Sequence, residues 1–470
     1  MYFENGQNNN DYYNNYDNMN VPNKKNSNKK IVLSIIGVIL LVAIFFCSGV
    51  LGFYIGVKSE KVTNLENDLL LTGKIYDMIN KYYYKDIDKE EFDKYAALGI
   101  SQIMDQYSGL EIVSSVPQKS FGLQMTRDGY NNHYIVDIVA GSPAYLASGV
   151  KVNSSGNILD SEVKYKLQRG DKLISCNGKS LVGIDDNLLN DKSLFGSDKI
   201  ELIVQKNNGD YAKFNFEKSL LYYSNESQDK NYYSSACDYY DLGSNVSMIR
   251  LKTFATENAN DFEKCALKFK NSPNQKLILD LRGNGGGSLS VLSTIATYFI
   301  EENGKSGGLP INRIVDKNGV ENIFKSDSET STRYYFGRDK QDYQLVVLID
   351  GGSASASEAL IGAIKYYDES AVFIGSGTYG KGIAQGVFPV SGYNLMLHIT
   401  IGYFDVPLRV DGKMTWANFH EKPYMPTDTT SNFTVPTIDM LDKDLDMQNY
   451  FANDIKNELA VQKALQYLSK

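Results

Sequence analysis

The chain has 470 residues and a formal charge of −8, from 48 Lys and Arg against 56 Asp and Glu. That balance, with no basic patch recurring along the body of the sequence, argues against a nucleic-acid partner. Four cysteines (Cys47, Cys176, Cys237, Cys265) and three histidines (His133, His398, His420) show no metal-ligand spacing, so neither a metal nor a cofactor is expected.

Residues 1–30 are rich in Asn, Tyr and Asp, lack an apolar period and read as a disordered tail. Residues 31–57 contain no charged side chain, a run long enough to span a bilayer as a helix. Lys24, Lys25, Lys29 and Lys30 precede that run, which predicts a cytoplasmic N-terminus and an extracytoplasmic body on a single-pass anchor in the cell membrane. Residues 62–118 read as a helical lead-in, with apolar spacing through Leu65, Leu69, Ile75 and Ile79 and again from Phe92 through Ala96, Ile100 and Ile103.

Residues 119–221 form a unit of short strands, predicted at Phe121–Thr126, Tyr134–Val139, Lys172–Cys176, Ile200–Gln205 and Tyr211–Phe216. Asn177-Gly178 signals a hairpin turn, and Ser142-Pro143-Ala144 opens a short helix. This order, with Gly141-Ser142-Pro143-Ala144 and Gly170-Asp171-Lys172-Leu173-Ile174, resembles a PDZ domain carrying an insertion over 153–167. The amides of Gly122, Leu123 and Gln124 would then hold the terminal carboxylate of a peptide.

Residues 222–438 alternate strands and helices: a strand at Val246–Leu251, a helix at Asn258–Phe269, an apolar strand at Leu277–Leu281 and a helix at Leu289–Ile300. Between the last two stands Arg282-Gly283-Asn284-Gly285-Gly286-Gly287, a turn that lets backbone approach a substrate closely. A second strand–turn–helix unit follows: Leu345–Asp350, then Gly352-Ser353-Ala354-Ser355-Ala356-Ser357-Glu358, then a buried helix from Ala359. Two such units can aim two helix N-termini at one point where negative charge develops. Residues 439–470 read as a helical end segment. A bridge between Cys237 and Cys265 is allowed in an oxidising compartment, although separate buried thiols are the preferred reading.

The string Gly375-Ser376-Gly377-Thr378-Tyr379-Gly380-Lys381-Gly382 approximates two phosphate-binding fingerprints. Neither holds, because Gly386 and Pro389 follow too closely for the helix whose N-terminus would meet phosphate. A lysine in a dry setting can instead lose its proton near neutral pH and serve as a base. Ser353, Ser355 and Ser357 are the candidate nucleophiles. Ser355 is the best placed to present its hydroxyl and the next amide, that of Ala356, to one carbonyl, while Ser357 suits capping or packing.

Taken together, these strings resemble the C-terminal processing peptidases, tail-specific serine peptidases with a PDZ domain. The weaker strings Tyr403-Phe404-Asp405-Val406-Pro407 and Pro426-Thr427-Asp428 extend the likeness. The resemblance implies Ser355 as nucleophile, Lys381 as base and Gln385 as the residue orienting the lysine. Ala356 and Gly286 would supply the backbone oxyanion hole. It also implies an α/β and β-rich multidomain chain whose core is similar to the ββα repeats of the crotonase and Clp peptidase folds. The expected partners are proteins or peptides with free C-termini, with a homodimer allowed. A catalytically silent PDZ scaffold for extracytoplasmic protein tails is the competing expectation.

Overall fold

The computed structural model describes residues 73–79, 81, 88–101, 104–112, 119–189, 191, 193–220, 235–254, 259–390, 394–428, 430, 432–436 and 450–470. The tail over 1–30 and the apolar run over 31–57 lie outside them. Among the described residues no helix is long and apolar enough to cross a membrane. The chain divides into two compact units, each taken here by itself.

The smaller unit contains helical residues 73–79, helix α1 (Lys89–Ser101) and strand β1 (Gly109–Ile112), which pairs antiparallel with residues 395–398. Strand β1 follows the helices expected over 62–107, inside the lead-in segment 62–118. Gly109 weakens a helix, and the alternation of Leu110 and Ile112 suits a strand.

In the larger unit, residues 119–220 form a module with its own core around Ile135, Leu173, Leu202, Val204 and Phe214. β2 (Lys119–Ser120) leads to β3 (Leu123–Arg127) and β4 (His133–Ile138), followed by helix α2 (Pro143–Leu146). Ser142 caps α2 through its hydroxyl and Pro143 opens it, as the sequence predicts. β5 (Gly149–Val152), β6 (Ile158–Tyr165), β7 (Lys172–Cys176) and β8 (Lys179–Ser180) come next. Helix α3 (Asp186–Leu189), β9 (Lys199–Gln205), β10 (Tyr211–Glu217) and β11 (Ser219–Leu220) complete the module. The sheet order is β3-β4-β7-β9-β10-β5-β6, so β3 lies at one edge and the insertion strand β6 at the other.

The rest of the unit is built on a five-stranded sheet, β12 (Cys237–Gly243), β13 (Val246–Leu251), β14 (Lys276–Asp280), β17 (Gln344–Ile349) and β18 (Val372–Gly375), in that order. The first pair is antiparallel and the others are parallel. The parallel strands are linked by helices α4 (Ala259–Asn271), α5 (Leu289–Ala296) and α6 (Ala356–Tyr367). Side chains alternate with a period of two. Leu277, Leu279, Leu345, Val347 and Ile349 face the core that holds these helices. Ile278, Val346 and Leu348 face a second core closed by α7 (Leu459–Leu468). Helix α5 stops at Ala296, short of the expected Ile300, because Tyr298 and Phe299 turn into i→i+3 bonds to Ile295 and Ala296.

A hairpin, β15 (Pro310–Asp316) with β16 (Glu321–Lys325), joins the second half of a long strand, β20 (Leu395–Val410). β19 (Ile383–Pro389) and β21 (Lys413–Asn418) also pair with β20.

A buried ion cluster fastens the module to the sheet. Arg282 donates twice to Asp280, at 2.8 Å each, and once to Glu458 at 2.6 Å. Arg169 of the module meets the other Glu458 oxygen at 2.5 Å and stacks over Phe451. Arg250 approaches Asp280 at 3.8 Å. Such a cluster adds little net stability over an apolar one, yet loss of a single member leaves a buried charge uncompensated.

Candidate active site

Register brings the two glycine-rich turns together. β14 and β17 run parallel with Asp280 opposite Leu348, so the turns after both strands leave from the same sheet edge. Asp350 then clips them. Its Oδ1 accepts from the Gly283 N–H at 2.8 Å and the Gly352 N–H at 2.9 Å, while burial pushes its carboxyl upward. Asn284 adds a second clip, its carbonyl accepting from the Ala354 N–H at 3.0 Å and the Ser357 hydroxyl at 2.8 Å.

The three candidate serines separate cleanly. The Ser353 hydroxyl is buried and donates to the Leu281 carbonyl at 2.9 Å. The Ser357 hydroxyl is equally buried on Asn284. Ser355 alone holds a positive φ, +57° with ψ −115°, a strained conformation at the cap of α6. The Ala356 N–H is the first amide of that helix and has no intrahelical acceptor.

Gly286 lies against this turn: a Cβ there would sit 2.7 Å from the Ala354 carbonyl oxygen and 2.8 Å from the Ala356 nitrogen, at φ +98°. Its own amide, however, donates to the Asn284 side-chain oxygen at 2.9 Å. Gly286 thus takes up its expected place but does not offer its N–H to the site in this conformation. The Asn284 side chain consumes it.

Lys381 precedes β19 rather than lying on it, and its Nζ donates to Oε1 of Gln385. Burial pushes the lysine below its ordinary value of 10.5, with Glu358 pulling in the opposite direction. That is the shift a lysine base requires.

Sequence reasoning missed Glu358 as a joint. Its carboxylate is fully buried and collects four donors. Oε1 accepts from the Thr378 hydroxyl and the Gly380 N–H, each at 2.6 Å. Oε2 accepts from the Ser355 N–H at 3.0 Å and the Lys381 N–H at 2.8 Å. One oxygen therefore binds the backbones of both proposed catalytic residues. Burial raises the Glu358 carboxyl, and the four bonds hold it toward the charged form. The signal was present in the capping-box spacing from Ser355 to Glu358.

His133 is buried in β4, and His398 pairs with Glu111 at 2.9 Å in the smaller unit. The His420 backbone packs against Gly382, where a Cβ would come within 2.2 Å of its nitrogen. Among the described residues no cluster of His, Cys, Asp and Glu could hold a metal ion.

The expected carboxylate nest is only partly open. The Gly122 N–H donates to the Ser120 hydroxyl at 3.1 Å and its carbonyl accepts from Val139 at 2.9 Å. At φ +76°, a Cβ on Gly122 would lie 2.2 Å from that of Ser142, so this glycine also serves packing. Leu123 and Gln124 open β3, opposite Ile138 and Asp137.

Comparison with known proteins places this geometry. The model of peptidase family S41 matches residues 245–408, which include Ser355, Lys381, Gln385 and Glu358. The chain is 27% identical over 335 residues to the carboxy-terminal processing protease CtpB of Bacillus subtilis, covering 69% of this chain and 62% of that one. It is 24% identical over 376 residues to a protein of Staphylococcus saprophyticus described as a CtpA-like serine protease, covering 77% and 66%. The chain thus spans less than two thirds of the length of these two relatives. A crystal structure assigned to the S41 proteases, from Bacteroides fragilis, shares the fold with a TM-score of 0.54 at 17% identity, over 82% of this chain and 91% of that one. A nucleophile-type turn and a half-buried lysine joined through one carboxylate, within residues 245–408, agree with these likenesses: that segment is similar to peptidase family S41.

Proposed function

We propose that the protein is a membrane-anchored serine endopeptidase that takes the C-terminal tail of an extracytoplasmic protein and cleaves through a Ser355 acyl-enzyme. The observation that carries this reading is the shared Glu358 oxygen, which fixes the backbones of Ser355 and Lys381 side by side. Neutral Lys381 accepts the hydroxyl proton as Ser355 Oγ attacks the scissile carbonyl carbon. The developing oxyanion faces the Ala356 N–H at the helix start. Lys381 then gives the proton to the departing amine. Water, deprotonated by Lys381, releases the acyl group and regenerates Ser355. Gln385 holds the amine in place throughout.

The pH dependence follows from the direction of the lysine shift. Only the neutral amine acts as base, so kcat/KM should climb with pH through a value below 10.5 and level off above it. A profile that falls with pH over the same range would exclude Lys381 as the base.

Residues 119–221 are assigned to a PDZ-like domain and 222–438 to the peptidase core, with the anchor at 31–57. The position of β3 at a sheet edge among the described residues supports tail binding by strand addition, and Leu123 and Gln124 lie where that strand begins. A peptide with a free apolar C-terminus should then outcompete its amidated twin by roughly tenfold, the worth of one charge-assisted hydrogen bond. Competition between paired acid and amide peptides tests this. Equal affinities would assign tail selection elsewhere and leave the module as a docking element.

A further inference from the structure

We propose that Cys237 and Cys265 form a dithiol–disulfide site that staples the outermost sheet strand, β12, to helix α4. The inference stands independently of the peptidase reading. Cys237 begins β12, which among the described residues pairs with β13 alone, and Cys265 lies on the inward face of α4. Both are buried, free thiols. The Cys265 thiol lies 3.3 Å from the Cys237 carbonyl oxygen. A thiol on one element seated against the backbone of a cysteine on another brings the two residues close enough for a bridge to be sought between them.

The surroundings make the pair asymmetric. The Cys237 thiol and Lys268, one turn along α4, favour the Cys265 thiolate, while burial, Asp238 and Asp261 oppose it. Burial holds Cys237 well above the ordinary thiol range. Cys265 is therefore the attacking sulfur. Its thiolate attacks one sulfur of a small-molecule disulfide and expels one thiolate, giving a mixed disulfide. Cys237 then loses its proton, attacks the Cys265 sulfur and expels the second thiolate. The external disulfide is reduced to two thiols, and the two protein thiols are oxidised to one bridge. Because both sulfurs are covered, the exchange proceeds when the edge strand opens or before it docks during folding.

The bridge would brace a segment that matters to the site. The loop it closes includes Leu251, whose carbonyl accepts from the Asn284 side chain at 2.9 Å. It also includes Phe254, whose N–H donates to the Gly286 carbonyl at 2.9 Å and whose carbonyl accepts from Ser288 at 2.8 Å. Oxidation thus ties down the support of the glycine turn beside Ser355. Cys176, alone in the N-terminal module with its thiol pushed up to about 11 by burial, provides an internal control.

The test equilibrates the full chain, in detergent micelles, with mixtures of reduced and oxidised glutathione. Samples are acid-quenched, unfolded, alkylated with N-ethylmaleimide, digested and weighed. The expected result is one linked peptide pair holding Cys237 and Cys265, lighter by two hydrogens, with Cys176 alkylated throughout. The oxidised form should melt a few degrees higher and return on reduction, since closing a loop restricts the unfolded chain. Cys237→Ser and Cys265→Ala should each lose both the link and the shift. Separate alkylation of Cys237 and Cys265 at every poise, or glutathione mixed disulfides at both without a link, would overturn the proposal.

Discussion

Ser355→Ala and Lys381→Ala should each abolish fragment formation when the full chain is given an unstructured protein with a free C-terminus. The expected loss is on the order of 10⁴-fold or more, because nucleophile and base act as one unit. The double variant should be no worse than either single one. Lys381→Arg should be equally silent, since guanidinium keeps its proton. Stability separates these effects from misfolding. Ser355→Gly removes the cost of a positive φ and should stabilise the fold by about 1 kcal/mol while remaining inactive. Lys381→Met should melt no lower than the native chain. The lowered lysine value means that the folded state holds the proton less tightly than the unfolded state, a penalty present below the folded value that fades as pH rises toward 10.5. The gain from Met is therefore largest near neutral pH. Mass spectrometry of the fragments, beside thermal melts, reads both outcomes. Turnover by folded Ser355→Ala would remove this serine from the mechanism.

Glu358 gives the second large effect. Glu358→Ala strands three backbone amides and the Thr378 hydroxyl in a buried space, at a cost of roughly 3 kcal/mol or more. It also frees the two turns from each other, and a displacement of about 1 Å between catalytic groups costs on the order of 10²-fold. Glu358→Gln is the more telling variant, because it keeps one acceptor oxygen and removes the charge. The carboxylate raises the Lys381 value, so its loss should move the rising limb of the pH profile to lower pH, on a reduced plateau. A purely structural glutamate would lower the plateau and leave the limb in place.

Much of this site was legible in the chain because local patterns define it. A buried strand, a glycine turn and an apolar helix recur at 276–296 and 344–367, and their parallel pairing fixes which turns meet. The lysine between two glycines was equally local. The less legible parts depend on long-range bonds. Glu358 went unread, because its bonds to Gly380 and Lys381 cross more than twenty residues. Gly286 looked like an open donor, because nothing in the glycine run says that Asn284 will fold back on it. Gly122 looked like a nest glycine until Ser142, brought in by α2, filled the space beside it. Helix ends were misjudged where aromatic residues prefer the core to another helical turn, as at Tyr298 and Phe299.

The central claim is that a peptide acyl group passes through Ser355, and trapping that group tests it most directly. The full chain is mixed with a short peptide ester carrying a good leaving group, quenched in acid during steady-state turnover, digested and mapped by mass spectrometry. The account predicts the acyl mass on the peptide that contains Ser355, located on that serine, and its absence in Ser355→Ala and Lys381→Ala. Acylation of Ser353, Ser357 or any other side chain in the turning-over enzyme would contradict it, as would rapid product release from a chain in which Ser355 is never modified.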